Sequence, residues 1–264
     1  MRPAPVTPSA AQGLSECWSS FLAMPGALRS AATGWLWLAV CLFIANRAGT
    51  YATEVAGPAV PDLILDHLPM RDISVVHVVV ASSFWVLVFG WLLWRPHAHP
   101  FATRAFAVFV AVRSFFVCLT HLGPPENQLM VTGPAELLLF TGDLFFSGHV
   151  GSPLLLSLIF WHERVVRWLG LVASLVFAFV VLLGHVHYST DVFGAVPITW
   201  AIYASSRRLF WREHAMLVLG SPTPPRRPRT GRLRRLRLRL ARRGGQGVAA
   251  PDQAQPGAEE GRHA

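Results

Sequence analysis

Long apolar segments separated by shorter polar stretches dominate the chain between residues 31 and 206. A helix needs roughly 20 apolar residues to cross a bilayer, and six segments approach that length. They cover residues 31–47, 73–94, 102–122, 148–162, 166–184 and 187–206. The first and the fourth are short, and the sixth is polar where it begins. The pattern predicts an all-α polytopic membrane protein with six transmembrane helices.

The composition agrees with this prediction, since hydrophobic residues make up 53% of the chain and charged residues only 14%. A soluble domain would carry about a quarter charged residues. We predict three regions: a cytoplasmic N-terminal segment, a six-helix transmembrane domain that carries the candidate chemistry, and a cytoplasmic tail. They cover residues 1–30, 31–206 and 207–264.

The placement of arginine predicts the orientation of the helices. All 23 basic residues are arginine, and ten of them lie in the tail between Arg226 and Arg243. Arginines also occur between helices two and three, between helices four and five, and directly after helix six. Because cytoplasmic loops carry the excess of positive charge, these segments and both termini are predicted to be cytoplasmic. We expect the tail to be disordered and to contact anionic lipid, with nucleic acid the least favoured partner.

Four ionisable residues lie within or at the ends of the apolar segments, where such groups are costly and usually functional. They are Arg113, His149, His187 and Asp191. His187 and Asp191 are four residues apart, so a helix places them on one face. An aspartate that accepts from one imidazole nitrogen fixes the tautomer and leaves the other nitrogen as a nucleophile or general base. The alternative is a structural pair that satisfies two buried polar groups.

The predicted topology brings His149 and His187 to the same extracytoplasmic boundary, because the fourth and sixth helices both begin there. Two imidazoles at one depth, one of them held by a carboxylate, provide a nucleophile and a general acid. The amides of Ser147, Gly148 and His149 open the fourth helix, and a helix amino terminus binds anions. The planar guanidinium of Arg113 on the third helix suits phosphate. Together these residues predict a phosphoryl-transfer site.

Two other chemistries are compatible with some of the polar residues. Nitrogen ligands for a metal are available at His121, His149, His185 and His187. No acidic or cysteine residue has a diagnostic spacing with them, so we predict no metal. A transport pathway also places charges at membrane depth, but here the charges cluster at one face of the membrane. His77 is predicted to have a structural role.

Several short motifs resemble those of a known family. The stretches SGHV at 147–150 and HYSTDV at 187–192 resemble the second and third signatures of the lipid phosphate phosphatase superfamily, in the form found in the sphingomyelin synthases. VPDLILDHLP at 60–69 and VRSFFVCLTHLGPP at 112–125 are similar to further motifs of the sphingomyelin synthases. The likeness covers about residues 30–215 and implies the helical bundle of that superfamily.

This resemblance implies an enzyme that moves a phospho-head-group between lipids through a phosphohistidine intermediate. His187 would attack the phosphodiester of a phospholipid of the phosphatidylcholine or phosphatidylethanolamine type, and diacylglycerol would leave. Asp191 would orient His187, while His149 would protonate the leaving oxygen and then deprotonate the hydroxyl of an acceptor such as ceramide. The family requires no metal or other cofactor, so the expected partners are a phospholipid donor and a lipid acceptor.

Substrate binding is implied for five residues. Arg113 and the start of the fourth helix, with Ser147 and Gly148, would hold the phosphoryl oxygens. Asp143 occupies the aspartate position of the family's Gly-Asp pair, in the stretch TGDLFFSGHV, and is a candidate for contact with the cationic head group. Tyr188, inside the third signature, is a further candidate for substrate binding.

Departures from the family pattern bear on the reaction. Thr141 and Val150 replace a cysteine and a threonine of the longer sphingomyelin synthase pattern. The chain contains no lysine and has valine at position 181. The ordinary lipid phosphatases use a lysine motif, and they carry an arginine six residues before the third-signature histidine. These absences favour transfer. A lipid phosphatase or phospholipase C-like hydrolase with the same residues, and a non-catalytic lipid-binding membrane protein, stay open as alternatives.

Overall fold

The computed structural model describes residues 13–125 and 144–219. Within these two ranges the chain forms eight α-helices and no strand. The helices are α1 (Leu14–Leu22), α2 (Ala27–Glu54), α3 (Ser74–Leu93), α4 (His99–Leu119), α5 (Gly148–Ile159), α6 (Arg164–Leu183), α7 (Ser189–Leu209) and α8 (Trp211–Leu219). Short 3-10 turns at Leu65–His67 and Pro96–Ala98 precede α3 and α4.

Helices α2 to α7 coincide with the six apolar segments. Three helical stretches are long and apolar enough to cross a membrane, namely Ala27–Glu54, Pro96–Leu119 and Arg164–Leu183. The apolar helices His77–Leu93 and Gly148–Ile159 are shorter. Helix α7 has 21 residues but does not reach the same hydropathy. The all-α membrane fold is confirmed, whereas the count of six spans stays a prediction.

Large apolar side chains are exposed along the outside of several helices. Phe43 on α2 is 69% exposed, Val86 on α3 is 70% exposed, and Phe179 on α6 is 61% exposed. A soluble protein rarely exposes so much contiguous apolar surface, and such surface marks contact with lipid or with another protein. The pattern agrees with an integral membrane protein.

Helix α5 lies in the interior of the bundle, packed against α6 and α7, while α2 packs along α4. Phe109 of α4 and Phe177 of α6 belong to the same buried core as Val150 and Leu155 of α5. Gly170 allows α6 to approach α5 closely, because a Cβ atom there would lie 2.6 Å from the carbonyl oxygen of Pro153. The start of α5 is therefore surrounded by other helices.

The two ends of the bundle carry different residues. At one end, here called the arginine end, Arg95 forms an ion pair of 2.9 Å with Glu163 across two loops. Arg104 lies 3.8 Å from Glu213 of α8 at the same end. The starts of α5 and α7 form the other end, here called the histidine end. Since α5 has 12 residues, its axis spans about 18 Å between the two ends.

Helices α1 and α8 are not among the predicted elements. Trp18 of α1 donates its indole N–H to the carbonyl oxygen of Leu93 at 2.9 Å. Met216 of α8 packs in a cluster with Phe21, and the ring of His214 meets Phe101 edge-on at 4.9 Å. The disorder expected from residue 207 onwards does not hold for residues 207–219, because these positions have partners on other helices. The remainder of the tail lies outside the described residues.

Candidate active site

Helices α5 and α7 begin side by side at the histidine end. Ser147, directly before α5, donates its backbone amide to the carbonyl oxygen of Asp191 in the first turn of α7, at 3.1 Å. Both residues are completely buried. The amide of Ser147 is therefore already used and is not one of the donors open to phosphate. Its hydroxyl has no hydrogen-bond partner among the described residues, so the two signatures meet around a buried polar group.

His187 lies in the turn before α7 and is only 3% exposed. Its Nδ1 atom is 3.4 Å from Oδ2 of Asp191, although the pair lacks the alignment of a hydrogen bond. Oδ2 accepts the backbone amide of Tyr188 at 3.0 Å, and the first turn of a helix favours a negative charge. The carboxylate is thus fixed beside Nδ1, which leaves Nε2 of His187 for chemistry.

His149 lies between His187 and the aromatic core. The centroids of the His149 and His187 rings are 6.0 Å apart, with an interplanar angle of 61°. Nucleophilic attack needs an approach of about 3–3.5 Å, and proton transfer needs a hydrogen bond of about 2.6–3.2 Å. A single phosphoryl group is large enough to reach both rings at this separation. Phe177, 6.0 Å from His149, closes the apolar side of the site.

A third imidazole completes the group. His77 in the first turns of α3 is 2% exposed, and its Nε2 atom is 3.0 Å from Nε2 of His149. The two rings meet nearly at right angles, with centroids 4.6 Å apart. Three histidines from α3, α5 and the start of α7 therefore form one continuous chain at the histidine end.

Arg113 of α4 lies against the start of α5. Its Nε atom donates to the carbonyl oxygen of Phe146 at 2.8 Å. A Cβ atom on Gly148 would lie 3.2 Å from the same Nε, so glycine permits this close approach. The first amides of a helix have no partner within the helix and bind anions. A guanidinium and the open amides of α5 therefore lie next to each other beside His149.

The loop between α2 and α3 is fastened to the start of α7 through Asp62. One carboxylate oxygen of Asp62 accepts the amide and the hydroxyl of Ser189, at 2.7 and 2.8 Å. The other oxygen accepts the amides of Ile64 and Leu65 at 3.0 Å. Burial acts to raise the pKa of Asp62, but these four hydrogen bonds hold it below the ordinary value of 3.8. Asp62 is therefore a charged, buried anchor whose partner, Ser189, lies two residues from His187.

Tyr188 connects two further loop segments to the start of α7. Its hydroxyl donates to the carbonyl oxygen of Gly123 at 2.9 Å and accepts the amide of Val60 at 3.1 Å. The side chain is 2% exposed. The hydroxyl is thus engaged in holding the two loops, and a role of Tyr188 in substrate binding stays a prediction.

Residues 141–208 match the family described as PAP2 superfamily C-terminal. This match supports the lipid phosphate phosphatase superfamily, whose members are typically enzymes acting on phosphate esters. The PAP2 match contains His149, His187 and Asp191, the residues that the geometry brings together. No curated protein and no solved structure matches the chain. The match therefore favours phosphatase or phosphotransferase-type lipid chemistry for this membrane protein.

Some residues predicted to bind substrate or a metal lie away from His149 and His187, or lie outside the described residues. Asp143 lies outside the described residues, so its contact with a head group stays a prediction. His121 faces the Tyr51 hydroxyl at 3.4 Å, and Nε2 of His185 lies 3.2 Å from the carbonyl oxygen of Leu68. In the ranges that the structure describes, no group of three potential metal ligands is assembled.

Two residues near His149 and His187 are not predicted from the sequence to belong to the site. His77 is predicted to be structural, although its place near the start of an apolar segment is the signal that points to the site. Asp62 lies inside a stretch that stands out only for its likeness to a family motif. Both residues are outside the segment 141–208, so the family match alone does not find them either.

Proposed function

We propose that the protein is a membrane phosphotransferase that moves a phospho-head-group from a glycerophospholipid to a lipid hydroxyl, as the sphingomyelin synthases do. The donor would carry phosphocholine or phosphoethanolamine, and the acceptor would be ceramide or a similar lipid alcohol. One observation carries the proposal: the rings of His149 and His187 are 6.0 Å apart, with the carboxylate of Asp191 behind His187.

In the first half-reaction, Nε2 of His187 attacks the phosphorus atom of the donor. The N–P bond forms as the P–O bond to diacylglycerol breaks, and His149 gives a proton to the departing oxygen. Asp191, whose Oδ2 atom lies 3.4 Å from Nδ1 of His187, would stabilise the positive charge that develops on the imidazole ring. The products are free diacylglycerol and a phospho-head-group bound to His187.

In the second half-reaction, the same steps run in the opposite direction with a new alcohol. His149 takes the proton from the acceptor hydroxyl, whose oxygen then attacks phosphorus. The N–P bond to His187 breaks, and the enzyme returns to its starting protonation state. This requires that His149 serve first as acid and then as base, two roles that imidazole side chains commonly fill in enzymes.

Charge on the phosphoryl oxygens would be stabilised by Arg113 and by the amides that open α5. The close contact between Gly148 and the Arg113 side chain supports this part of the proposal. Donors that are fixed before the reaction cost no reorganisation when charge develops in the transition state.

Transfer rather than hydrolysis is supported by the residues that are absent. The chain has no lysine, and the position six residues before His187 is Val181, which is completely buried. The site therefore lacks two of the cations that the ordinary lipid phosphatases place around phosphate. Hydrolysis by the same histidines is the second outcome of the assay below.

We also propose that the histidine end faces the extracytoplasmic side. The Arg95–Glu163 and Arg104–Glu213 contacts at the opposite end support this orientation, since arginine is enriched on the cytoplasmic side. An impermeant reagent that reaches only one side of sealed cells, applied to single cysteines introduced at either end, tests the orientation directly.

The activity test supplies the purified full chain in vesicles with head-group-labelled phosphatidylcholine or phosphatidylethanolamine, with and without ceramide or diacylglycerol. Acceptor-dependent appearance of labelled lipid is the expected result. Release of labelled head group without acceptor would instead identify a hydrolase. His187→Ala and Asp191→Asn should lower either activity by about 100-fold or more. His162→Ala, at an exposed histidine at the arginine end, is the matched control. Retention of full activity in both site variants would leave lipid binding as the function.

A further inference from the structure

The contact between His77 and His149 has a specific atomic form. Both rings present Nε2 to the contact, at 3.0 Å. At this distance one nitrogen must carry a hydrogen and the other must accept it, because two lone pairs or two N–H groups would repel. The nearly perpendicular rings, with centroids 4.6 Å apart, exclude simple stacking as the reason for the contact. The pair is therefore joined by one shared proton.

His77 has little else to interact with. Its side chain is 2% exposed, and its Nδ1 atom has no hydrogen-bond partner within the described residues. A buried imidazole with one unsatisfied nitrogen is costly unless the remaining hydrogen bond is strong or useful. The position is thus poorly explained by packing alone.

We infer that His77 and His149 act as one acid–base unit, in which His77 stores the proton that His149 delivers to the leaving lipid oxygen and later recovers from the acceptor. This inference rests on the proposed phosphotransfer and deepens it. His77 would be a positioning and proton-storing residue that acts through His149, without touching the lipid.

The contact determines which atoms of His149 take part. Nε2 of His149 faces His77, which leaves Nδ1 as the nitrogen for the lipid. As Nδ1–H of His149 passes to the diacylglycerol oxygen, Nε2–H of His77 passes to Nε2 of His149. The unit begins with one proton more than two neutral rings and ends with two neutral rings. The acceptor hydroxyl restores that proton along the same path, so protons balance over one turnover.

The charges around the unit limit it to a single extra proton. His187 lies next to His149 on one side, and Arg113 of α4 approaches it on another. Asp191 of α7 faces His187, with 3.4 Å between its Oδ2 atom and Nδ1 of the imidazole. A second extra proton on the His77–His149 unit would be repelled by Arg113 and by the positive charge that develops on His187. One proton shared over two rings avoids that repulsion.

The leaving group of the donor provides the decisive test. The full chain in vesicles is compared, as wild type and as His77→Gln, with two donors: phosphatidylcholine and p-nitrophenyl phosphocholine. The glutamine side chain keeps a hydrogen bond to His149, but an amide cannot store or pass a proton. Nitrophenolate leaves without protonation, whereas the alkoxide of diacylglycerol does not. We expect His77→Gln to slow phosphatidylcholine cleavage by about 10- to 100-fold and nitrophenol release by less than about threefold.

Two further variants make the result specific. His149→Gln should show the same dependence on leaving group, and the double variant should be no slower than His149→Gln, because residues that act as a unit are not additive. His187→Ala should lose cleavage of both phosphatidylcholine and p-nitrophenyl phosphocholine. Equal slowing of both donors by His77→Gln, or no slowing of either, would overturn the inference.

A measurement on the wild type keeps the inference testable if His77→Gln does not fold. The rate of phosphatidylcholine cleavage in mixtures of H₂O and D₂O should depend on deuterium fraction with the curvature of two protons in transit, and a straight line would count against the unit. Trapping labelled head group on His187 separates the two proposals. If wild type forms no such adduct, the proposed function fails; if it forms and His77→Gln behaves as wild type, only the acid–base unit fails.

Discussion

Asp62 and Ser189 are joined twice, because the backbone amide and the hydroxyl of Ser189 both donate to the same carboxylate oxygen, at 2.7 and 2.8 Å. Asp62 belongs to the loop between α2 and α3, and Ser189 is the first residue of α7. Tyr188 lies between Ser189 and His187, the proposed nucleophile, and its hydroxyl holds two more loop segments. The start of α7 is therefore held by residues outside the matched segment 141–208.

Replacing Asp62 by Asn should weaken this anchor. An amide nitrogen in place of Oδ2 cannot accept from Ser189, and two donors would face each other. We expect a loss of about 1–3 kcal/mol in stability and at least a tenfold loss of transfer activity, measured by thermal unfolding in detergent and by the labelled-lipid assay. A double-mutant cycle with Ser189→Ala should give a coupling of about 0.5–3 kcal/mol. Additive effects of the two changes would contradict a direct bond.

The same carboxylate predicts a response to acid. The folded protein holds the pKa of Asp62 below 3.8 because of its four hydrogen bonds, which outweigh the opposing effect of burial. Its stabilising contribution is thus complete above the ordinary pKa and disappears as the pH falls through the lower folded value. The unfolding midpoint of the wild type should fall in that acidic range more steeply than that of Asp62→Asn. Parallel curves for the two proteins would show that Asp62 contributes nothing to acid lability.

A methyl group at Gly148 should disturb the phosphate-binding part of the site. The added Cβ would lie 3.2 Å from Nε of Arg113, so the guanidinium must shift by a few tenths of an ångström. We expect Gly148→Ala to lower activity by about tenfold, since small displacements of positioning groups are costly, while the unfolding temperature changes little. Gly90→Ala is the matched control, because a Cβ there meets nothing within 4 Å. Equal activities of the two variants would contradict the proposed role of Arg113 in binding the phosphoryl oxygens.

His214 predicts a pH effect at the arginine end. Burial, with smaller contributions from Arg207 and His162, lowers the pKa of His214 from 6.5 to about 4. Between these values the unfolded chain binds a proton that the folded chain does not, so stability falls as the pH is lowered from 6.5 to about 4. His214→Phe keeps the edge-on contact with Phe101 and removes the titration. Its unfolding midpoint should change less over this window than that of the wild type, whereas an equal change in both proteins would refute the assignment.

How well a feature can be predicted depends on how far apart in the sequence its interacting residues lie. Helices α2 to α7 are predictable because the membrane demands long apolar runs, and a run is a local property of the sequence. His149, His187 and Asp191 are predictable because of their short separation and the predicted topology, although His187 lies in the turn before α7 and not on a helix face as expected. The contacts of His77 and Asp62 are not predictable, because their partners are 72 and 127 residues away in the sequence. Helix α8 is missed because its nine residues are too few to cross a membrane, so a search for long apolar runs passes over them.

The bond from the amide of Ser147 to the carbonyl of Asp191 has a mechanical consequence. It ties together the two helix starts that supply the proposed acid and the proposed nucleophile, so a tilt of α5 carries α7 with it. The bond thus couples the position of one group to the position of the other. In the proposed reaction, diacylglycerol and the next alcohol would therefore exchange beside two helix starts that stay joined, next to the loops that Asp62 and Tyr188 hold.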